Sequence, residues 1–339
     1  MNIVTIDAGT TNTRSALWRH DKLIAQSQVG VGVRNTAIDG NNHALKQAVR
    51  ETISEALAVA GLGPADVGLV LASGMITSGA GLFELPHLKA PAGLEQLARG
   101  MLCSNMPDVF SQPLWLIPGV RNPVDPVGLH NHEAMDMMRG EETEAMGLLA
   151  RLDLAGPAML IMPGSHTKLV SIDDQGRIAG CATTLAGELL QVITQGTLIS
   201  QSLEADFAHT FLPEMVLAGA HTAQTTGLAR ACFSVRTLAL FTDVQRDERA
   251  NFLLGAVLCG DVLALKNSSA IQMRPDTPIV ITGKSLLRSA LALLIEENGF
   301  FYGPRTVVND AQQADLAGFG AITIARARGL ISTTTETLS

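Results

Sequence analysis

The sequence has no basic tract and carries a net charge of −8, so neither nucleic acid nor an anionic membrane is an expected partner. An anionic small molecule stays compatible, because a few local arginines suffice to hold one. The four cysteines, Cys103, Cys181, Cys232 and Cys259, lie far apart with no Cys-x-x-Cys spacing. They read as reduced, buried, structural thiols, which suits the cytoplasm. No basic segment followed by an apolar one opens the chain, so no signal peptide is expected. The longest uncharged stretch, residues 67–83, is broken by Gly, Ser and Thr and makes a poor membrane span. What is abundant is apolar: 47% of 339 residues, ample for sizeable cores and at odds with disorder. The length favours two domains over one.

The most informative stretch is the first fourteen residues. Ile3-Val4-Thr5-Ile6 is a short β-branched run and predicts a strand. Asp7-Ala8-Gly9-Thr10-Thr11-Asn12-Thr13-Arg14 follows as a tight polar turn, and Ser15-Ala16-Leu17-Trp18 resumes strand character. A ligand can approach the main chain at Gly9. Consecutive N–H groups and the threonine hydroxyls can surround an anion, with Thr10, Thr11 and Arg14 on the phosphates. Asp7 can hold a divalent cation, usually through water. Phosphate with Mg²⁺ is the economical reading; a plain β-hairpin with a Thr-rich turn is the bland one.

Further along, residues 35–42 read as a polar loop and 43–60 as an amphipathic helix. Residues 67–72 read as a buried strand whose exit loop, Ser73-Gly74-Met75, faces a ligand crevice. Pro123 and Pro126 keep 121–126 out of regular structure. Residues 130–149 pack Asp136, Arg139, Glu141 and Glu142 among methionines, and their second half is helical in pattern. His130 and His132 lack a third nearby ligand, so a metal pair is set aside. Residues 150–157 form the candidate domain boundary. Beyond it Met159-Leu160-Ile161-Met162, the turn Pro163-Gly164-Ser165-His166-Thr167-Lys168 and Leu169-Val170-Ser171-Ile172 repeat the opening pattern of strand, turn ending in a cation, strand. This is a divergent internal repeat.

In the second half 189–202, 228–240 and 250–265 read as helices, the last very apolar and buried. Residues 219–226 read as loop. Residues 278–285 form a strand and turn, 286–297 a helix, 306–308 a strand, and 311–328 a small-residue helix with Gly318 and Gly320 allowing close packing. A loose tail is expected over 332–339. Gly283-Lys284-Ser285 is not a P-loop, because Pro278 stands where the first glycine belongs; Gly283 and Lys284 can still line a nucleotide pocket.

Two phosphate-type turns on two related halves imply a nucleotide between them. Gly164, Ser165, His166 and Thr167 offer donors and Lys168 a cation. Phosphoryl transfer then needs a carboxylate to take the proton of an incoming hydroxyl. Asp136, placed at the start of the helix leaving the first half, is the first choice; Glu141 and Glu142 are the next.

These motifs resemble the sugar kinase, hexokinase, Hsp70 and actin superfamily, and more closely the 2-dehydro-3-deoxygalactonokinase family. The specific runs are Met138-Arg139-Gly140-Glu141-Glu142-Thr143 and Pro163-Gly164-Ser165-His166-Thr167-Lys168; the first turn is shared across the superfamily. The similarity spans nearly the whole chain and is weakest over 203–249. It implies an α/β fold of two actin-like ATPase (ribonuclease H-like) domains with mixed sheets flanked by helices and a site in the interdomain cleft. The first domain (1–149) would take the sugar acid, the second (150–310) the nucleotide, and a helix over 311–331 would pack at the junction.

The resemblance further implies ATP- and Mg²⁺-dependent phosphorylation of the C6 hydroxyl of 2-dehydro-3-deoxy-D-galactonate, with Asp136 in the position of the base. Pro163 replaces the acidic residue of the ATPase members, which favours a transferase. The substrate carboxylate calls for an arginine, Arg139 first and then Arg121 or Arg34, with Glu141 beside it; Gly74, Pro86 and Asn122 are expected on loops facing the same cleft. The competing readings are a nucleotide-binding regulator of the same superfamily and a kinase for a related sugar. A homodimer is left open.

Overall fold

The chain's opening hairpin forms as its short β-branched run predicts. In the computed structural model, which describes residues 1–332, β1 (Asn2–Ala8), β2 (Thr13–Arg19) and β3 (Lys22–Val29) pair antiparallel in succession. α1 (Val33–Asp39) occupies the stretch expected to be loop. Its polar residues cap the helix instead of breaking it: Asn35 Oδ1 accepts the Gly32 N–H at 3.1 Å, and Gly40 ends the helix in the left-handed region. α2 (His43–Val59) then lays Leu45, Val49, Ile53 and Leu57 against the sheet, each worth about 1.5–3 kcal/mol when fully buried. β4 (Val67–Gly74) runs parallel to β1.

The first half continues through β5 (Leu88–Lys89), α3 (Leu94–Gly100), β6 (Leu102–Ser104), β7 (Leu114–Leu116), β8 (Val120–Arg121) and β9 (Met137–Met138) to α4 (Glu141–Arg151). Its main sheet has the order β3-β2-β1-β4-β7-β6, and β5-β8-β9 make a small second sheet. The helix begins at Glu141, five residues later than a helix opening at Asp136 would.

After Arg151 the chain begins a second sheet. β10 (Ala158–Met162), β11 (Thr167–Ile172) and β12 (Ile178–Thr184) again form antiparallel hairpins. α5 (Ala186–Gly196), α6 (Ser200–Leu203), α7 (Pro213–Thr226), α8 (Leu228–Phe241) and α9 (Arg246–Asn267) precede β13 (Ile279–Ile281), α10 (Ser285–Glu297), β14 (Arg305–Val307), α11 (Asp310–Gln313) and α12 (Leu316–Ala327). The sheet order is β12-β11-β10-β13-β14, with β13 parallel to β10 and β14 to β13. Both halves therefore share two hairpins followed by parallel strands on the far side of the first.

Residues 219–226, expected as loop, are the second half of α7. Thr222, Thr225 and Thr226 return their hydroxyls to carbonyls four residues back, so they do not compete for the backbone. Gly219 lies so close to the Phe252 carbonyl of α9 that a Cβ would collide with it, so the glycine serves helix packing. Among the described residues α9 alone is long and apolar enough to cross a bilayer, and 67% of that window is buried in the protein. Its Leu253, Val257 and Leu258 belong to the apolar cluster that also holds Ile279 and Leu291.

A separate cluster joins the halves: Trp18 and Leu71 from the first sheet, Leu160 and Val170 from the second, Leu148 from α4 and Ile322 from α12. α4 and α12 pack face to face, and Gly320 approaches the Thr143 carbonyl too closely to admit a side chain. The cysteines are all free, but only Cys181 is buried; Cys103 lies exposed on the edge strand β6, against the expectation of four buried thiols. Apart from Ser332 itself, the tail expected over 332–339 lies outside the described residues.

Candidate active site

One cleft of about 810 Å³ takes its walls from both halves, and both glycine turns line it, Gly9 and Thr10 on one side and Gly164, Ser165 and His166 on the other. In the first turn the Gly9 N–H donates to Asn12 O at 2.8 Å, which closes the bend and leaves the Thr10 side chain exposed. Arg14 also lines the cleft, held by Nε and Nη2 bonds to Gln28 Oε1 at 3.2 and 2.9 Å.

Asp7 sits at the end of β1, directly across the hairpin from Arg14. The backbones of Gly74 and Gly140 crowd it. Both have positive φ, +82° and +107°, and a Cβ at Gly74 would stand 2.9 Å from Asp7 Oδ1. Burial raises the Asp7 pKa; Arg14 opposes the rise and Glu141 adds to it. Glu144 lines the same floor, pushed up to about 8 by burial and by the charges of Asp7 and Glu141. Burial and mutual repulsion make these carboxyls costly to ionise together, a cost that a divalent cation would offset. That donor chemistry fits Mg²⁺, which is usually bound by one or two carboxylates, water and phosphate oxygens. Among the described residues no group of three or more His, Cys, Asp or Glu is arranged to enclose a metal by itself.

Arg139 and Glu141 also line the cleft. Arg139 is held rigidly: Nη1 donates to Thr77 Oγ1 at 2.8 Å, and Nη2 donates to Leu85 O and, at 3.4 Å, to His87 Nδ1. Glu141 Oε2 accepts the Arg139 N–H at 3.1 Å. Glu142 is fully buried, with both oxygens on the Gly140 N–H at 2.9 and 2.8 Å. It closes its own turn, and burial followed by the Glu141 charge raises its pKa to about 8.

On the second turn Lys168 lines the cleft, while Thr167 turns away and donates to Asp261 Oδ2 on α9 at 2.7 Å. His166 lies 3.1 Å from Glu188. Gly283, also on the wall, is clamped by Gln313: its N–H donates to Oε1 at 2.7 Å and its carbonyl accepts from Nε2 at 3.0 Å.

Several residues singled out in the sequence lie elsewhere. Asp136 does not line the cleft. It faces a shallower groove with Thr183 and Ser268, and its Oδ1 accepts from Thr183 Oγ1 at 2.9 Å and from Met137 N at 2.6 Å. The short strand β9 between Asp136 and α4 carries it to that far side. Arg121 is occupied by its own loop, donating to Val124 O at 3.2 Å and lying 3.7 Å from Asp125. Arg34 is exposed on α1, and its backbone N–H, not its guanidinium, meets the first turn, at Thr10 O. Thr11 points to solvent, and Lys284 is an exposed residue preceding α10; neither lines the cleft. Pro86 is also off the wall. Asn122 is buried, and its side chain bonds Ala134 O, Cys181 O and Ala270 O.

The cleft also contains residues the sequence did not single out: Glu144, one helical turn beyond Glu141, and His87, Gln313 and Asp315. Glu144 was findable as the i+3 partner of Glu141. Nothing local marks His87. Burial, with Arg139 and Arg121 adding, lowers its pKa to about 4, and its Nε2 is buried without a hydrogen-bond partner.

Comparison with known proteins identifies related chains. The chain is 27% identical over 277 residues to a 2-dehydro-3-deoxygalactonokinase of Escherichia coli (strain K12), covering 79% of this chain and 82% of that one. It is 28% identical over 322 residues to a Rhizobium meliloti (strain 1021) protein provisionally given the same name, covering 93% and 94%. A crystal structure of a candidate 2-dehydro-3-deoxygalactonokinase from Sinorhizobium meliloti superposes with a TM-score of 0.70 at 23% identity, covering 96% of this chain and 98% of that one. The fold is that of the actin-like ATPases and sugar kinases. The 2-keto-3-deoxy-galactonokinase family profile matches residues 7–322, so the chain belongs to that family of ATP-dependent carbohydrate kinases.

Proposed function

We propose that the enzyme transfers the γ-phosphoryl group of ATP, with Mg²⁺, to the 6-hydroxyl of 2-dehydro-3-deoxy-D-galactonate, in the cytoplasmic catabolism of galactonate and galactose. The supporting observation is that two phosphate-type turns share one cleft with an anchored arginine and a carboxylate at the opening of α4. In this reading residues 1–149 take the sugar acid, 150–310 take the nucleotide, and 311–331 close the junction.

Gly9, Thr10 and Arg14 meet the phosphate chain from one side, and Gly164, Ser165, His166 and Lys168 from the other. Gly283 with Gln313 backs the nucleotide. Asp7 and Glu144 would hold Mg²⁺, which when bound supplies charge neutralisation beside the phosphates. Arg139, already fixed by Thr77 and Leu85, presents its guanidinium to the substrate carboxylate at little further entropic cost. Glu141, not Asp136, receives the proton of the attacking hydroxyl, because it is on the cleft wall and Asp136 is not. Closing the cleft excludes water and disfavours hydrolysis of ATP.

The test is coupled ADP release from the purified enzyme with 2-dehydro-3-deoxy-D-galactonate, its gluconate epimer and simple hexoses. The galactonate compound is expected to give the highest kcat/KM, and Glu141→Gln to lower kcat by about 10²–10⁴. Preference for a neutral hexose would sink the substrate assignment.

A further inference from the structure

Asp136 stands outside the cleft, yet only one hydroxyl separates it from a residue inside. That residue is Lys168, 5% exposed, on the strand leaving the second turn. An ammonium has three N–H donors and no acceptor. One N–H of Lys168 goes to Met137 O at 2.9 Å and a second to Thr183 Oγ1 at 2.5 Å. Thr183 has a single hydroxyl proton, and it is donated to Asp136 Oδ1 at 2.9 Å. A hydroxyl committed in this way can present only lone pairs to the ammonium. With no acceptor at 136, the hydroxyl rotates freely and can turn its proton toward Lys168. The Asp136 carboxylate, 4.0 Å from Nζ, also offsets a charge that is almost wholly desolvated.

We propose that Asp136 is a positioning residue: through Thr183 it fixes the Lys168 ammonium on two protein acceptors and leaves the third N–H for the phosphate chain in the cleft. The inference rests on the reading above in one respect, that Lys168 meets the nucleotide phosphates. It reassigns Asp136 from a proton acceptor to a group that never touches substrate.

The experiment measures calorimetric binding of a non-hydrolysable ATP analogue alongside steady-state kinetics. Asp136→Ala and Thr183→Val are each expected to weaken analogue binding and raise the KM for ATP about tenfold, while the KM for the sugar acid changes less than about twofold. Thr183→Ser keeps the hydroxyl and is expected to stay within about threefold of wild type. Asp136→Asn keeps an acceptor but loses the carboxylate charge beside Nζ, and is expected to fall between wild type and Asp136→Ala in analogue binding with kcat nearly unchanged. The double variant Asp136→Ala/Thr183→Val should be no worse than the poorer single one, since both break the same chain of bonds. Loss of about a thousandfold in kcat for Asp136→Asn with analogue binding intact would overturn the proposal in favour of a proton acceptor. Additive single effects, or equal changes in both KM values, would also overturn it. If an Ala or Val variant melts early, the Asn and Ser variants alone still decide between the two roles. Analogue binding needs no sugar acid, so it reads the Lys168 arrangement even if no 2-oxo acid is turned over.

Discussion

At the scale of single residues, the cleft is governed by how charge is held away from water. His87 is the clearest case outside the carboxyl cluster. Its ring is half-buried against Arg139 and its pKa falls to about 4 from 6.5. Between those values the unfolded chain takes a proton on this histidine and the folded chain does not, so folding stability contributed at this position is lost as pH falls from about 6.5 toward 4. Urea unfolding at pH 7 and pH 5 is therefore expected to show a smaller pH-dependent loss for His87→Gln than for wild type; equal losses would contradict it. Single residues were also where the sequence was least legible. Asp136 and Glu141 are five positions apart and both carry a carboxyl group, and only the intervening strand β9 decides which one faces the cleft. Thr10 and Thr11 are likewise adjacent and identical, and the turn closed by Asn12 O puts only Thr10 on the wall.

At the scale of elements, periodicity carried most of the information. The hairpins follow from short β-branched or apolar runs, α2 from amphipathic spacing against one sheet, and α9 from a run so apolar that it is buried on nearly all sides, mainly against α7, α8 and α10. α1 and the end of α7 did not, since their Asn, Thr and Gly residues have low helix propensity and earn their place through caps, back-bonded hydroxyls and close packing. Gly320 of α12 shows the cost of ignoring such contacts. A side chain there would collide with the Thr143 carbonyl, part of the α4 turn that also carries Glu141. Gly320→Val is expected to destabilise the fold by about 1–3 kcal/mol or more. Chemical denaturation measures it, and an unchanged midpoint would refute the packing argument.

At the scale of the whole molecule, the duplicated strand order was legible from the two matching turns, but the layer between the sheets was not. The apolar cluster that includes Trp18, Leu148, Leu160 and Ile322 belongs to neither half alone. Calorimetry is accordingly expected to show one cooperative melting transition and not two. ATP at a hundredfold excess over its Kd should add about 2.7 kcal/mol to stability by mass action. Two separate transitions, only one of them shifted by nucleotide, would show that the halves unfold independently.

The placement of α12 has a consequence for how the protein is made. Translation delivers this helix after every strand it covers, so while the ribosome is still reading, the apolar face it will seal stands open. Until that segment clears the exit tunnel, the nascent polypeptide lacks both the wedge that locks its halves and the Leu316–Gly318 wall of the cleft. Catalytic competence therefore waits on the synthesis of α12.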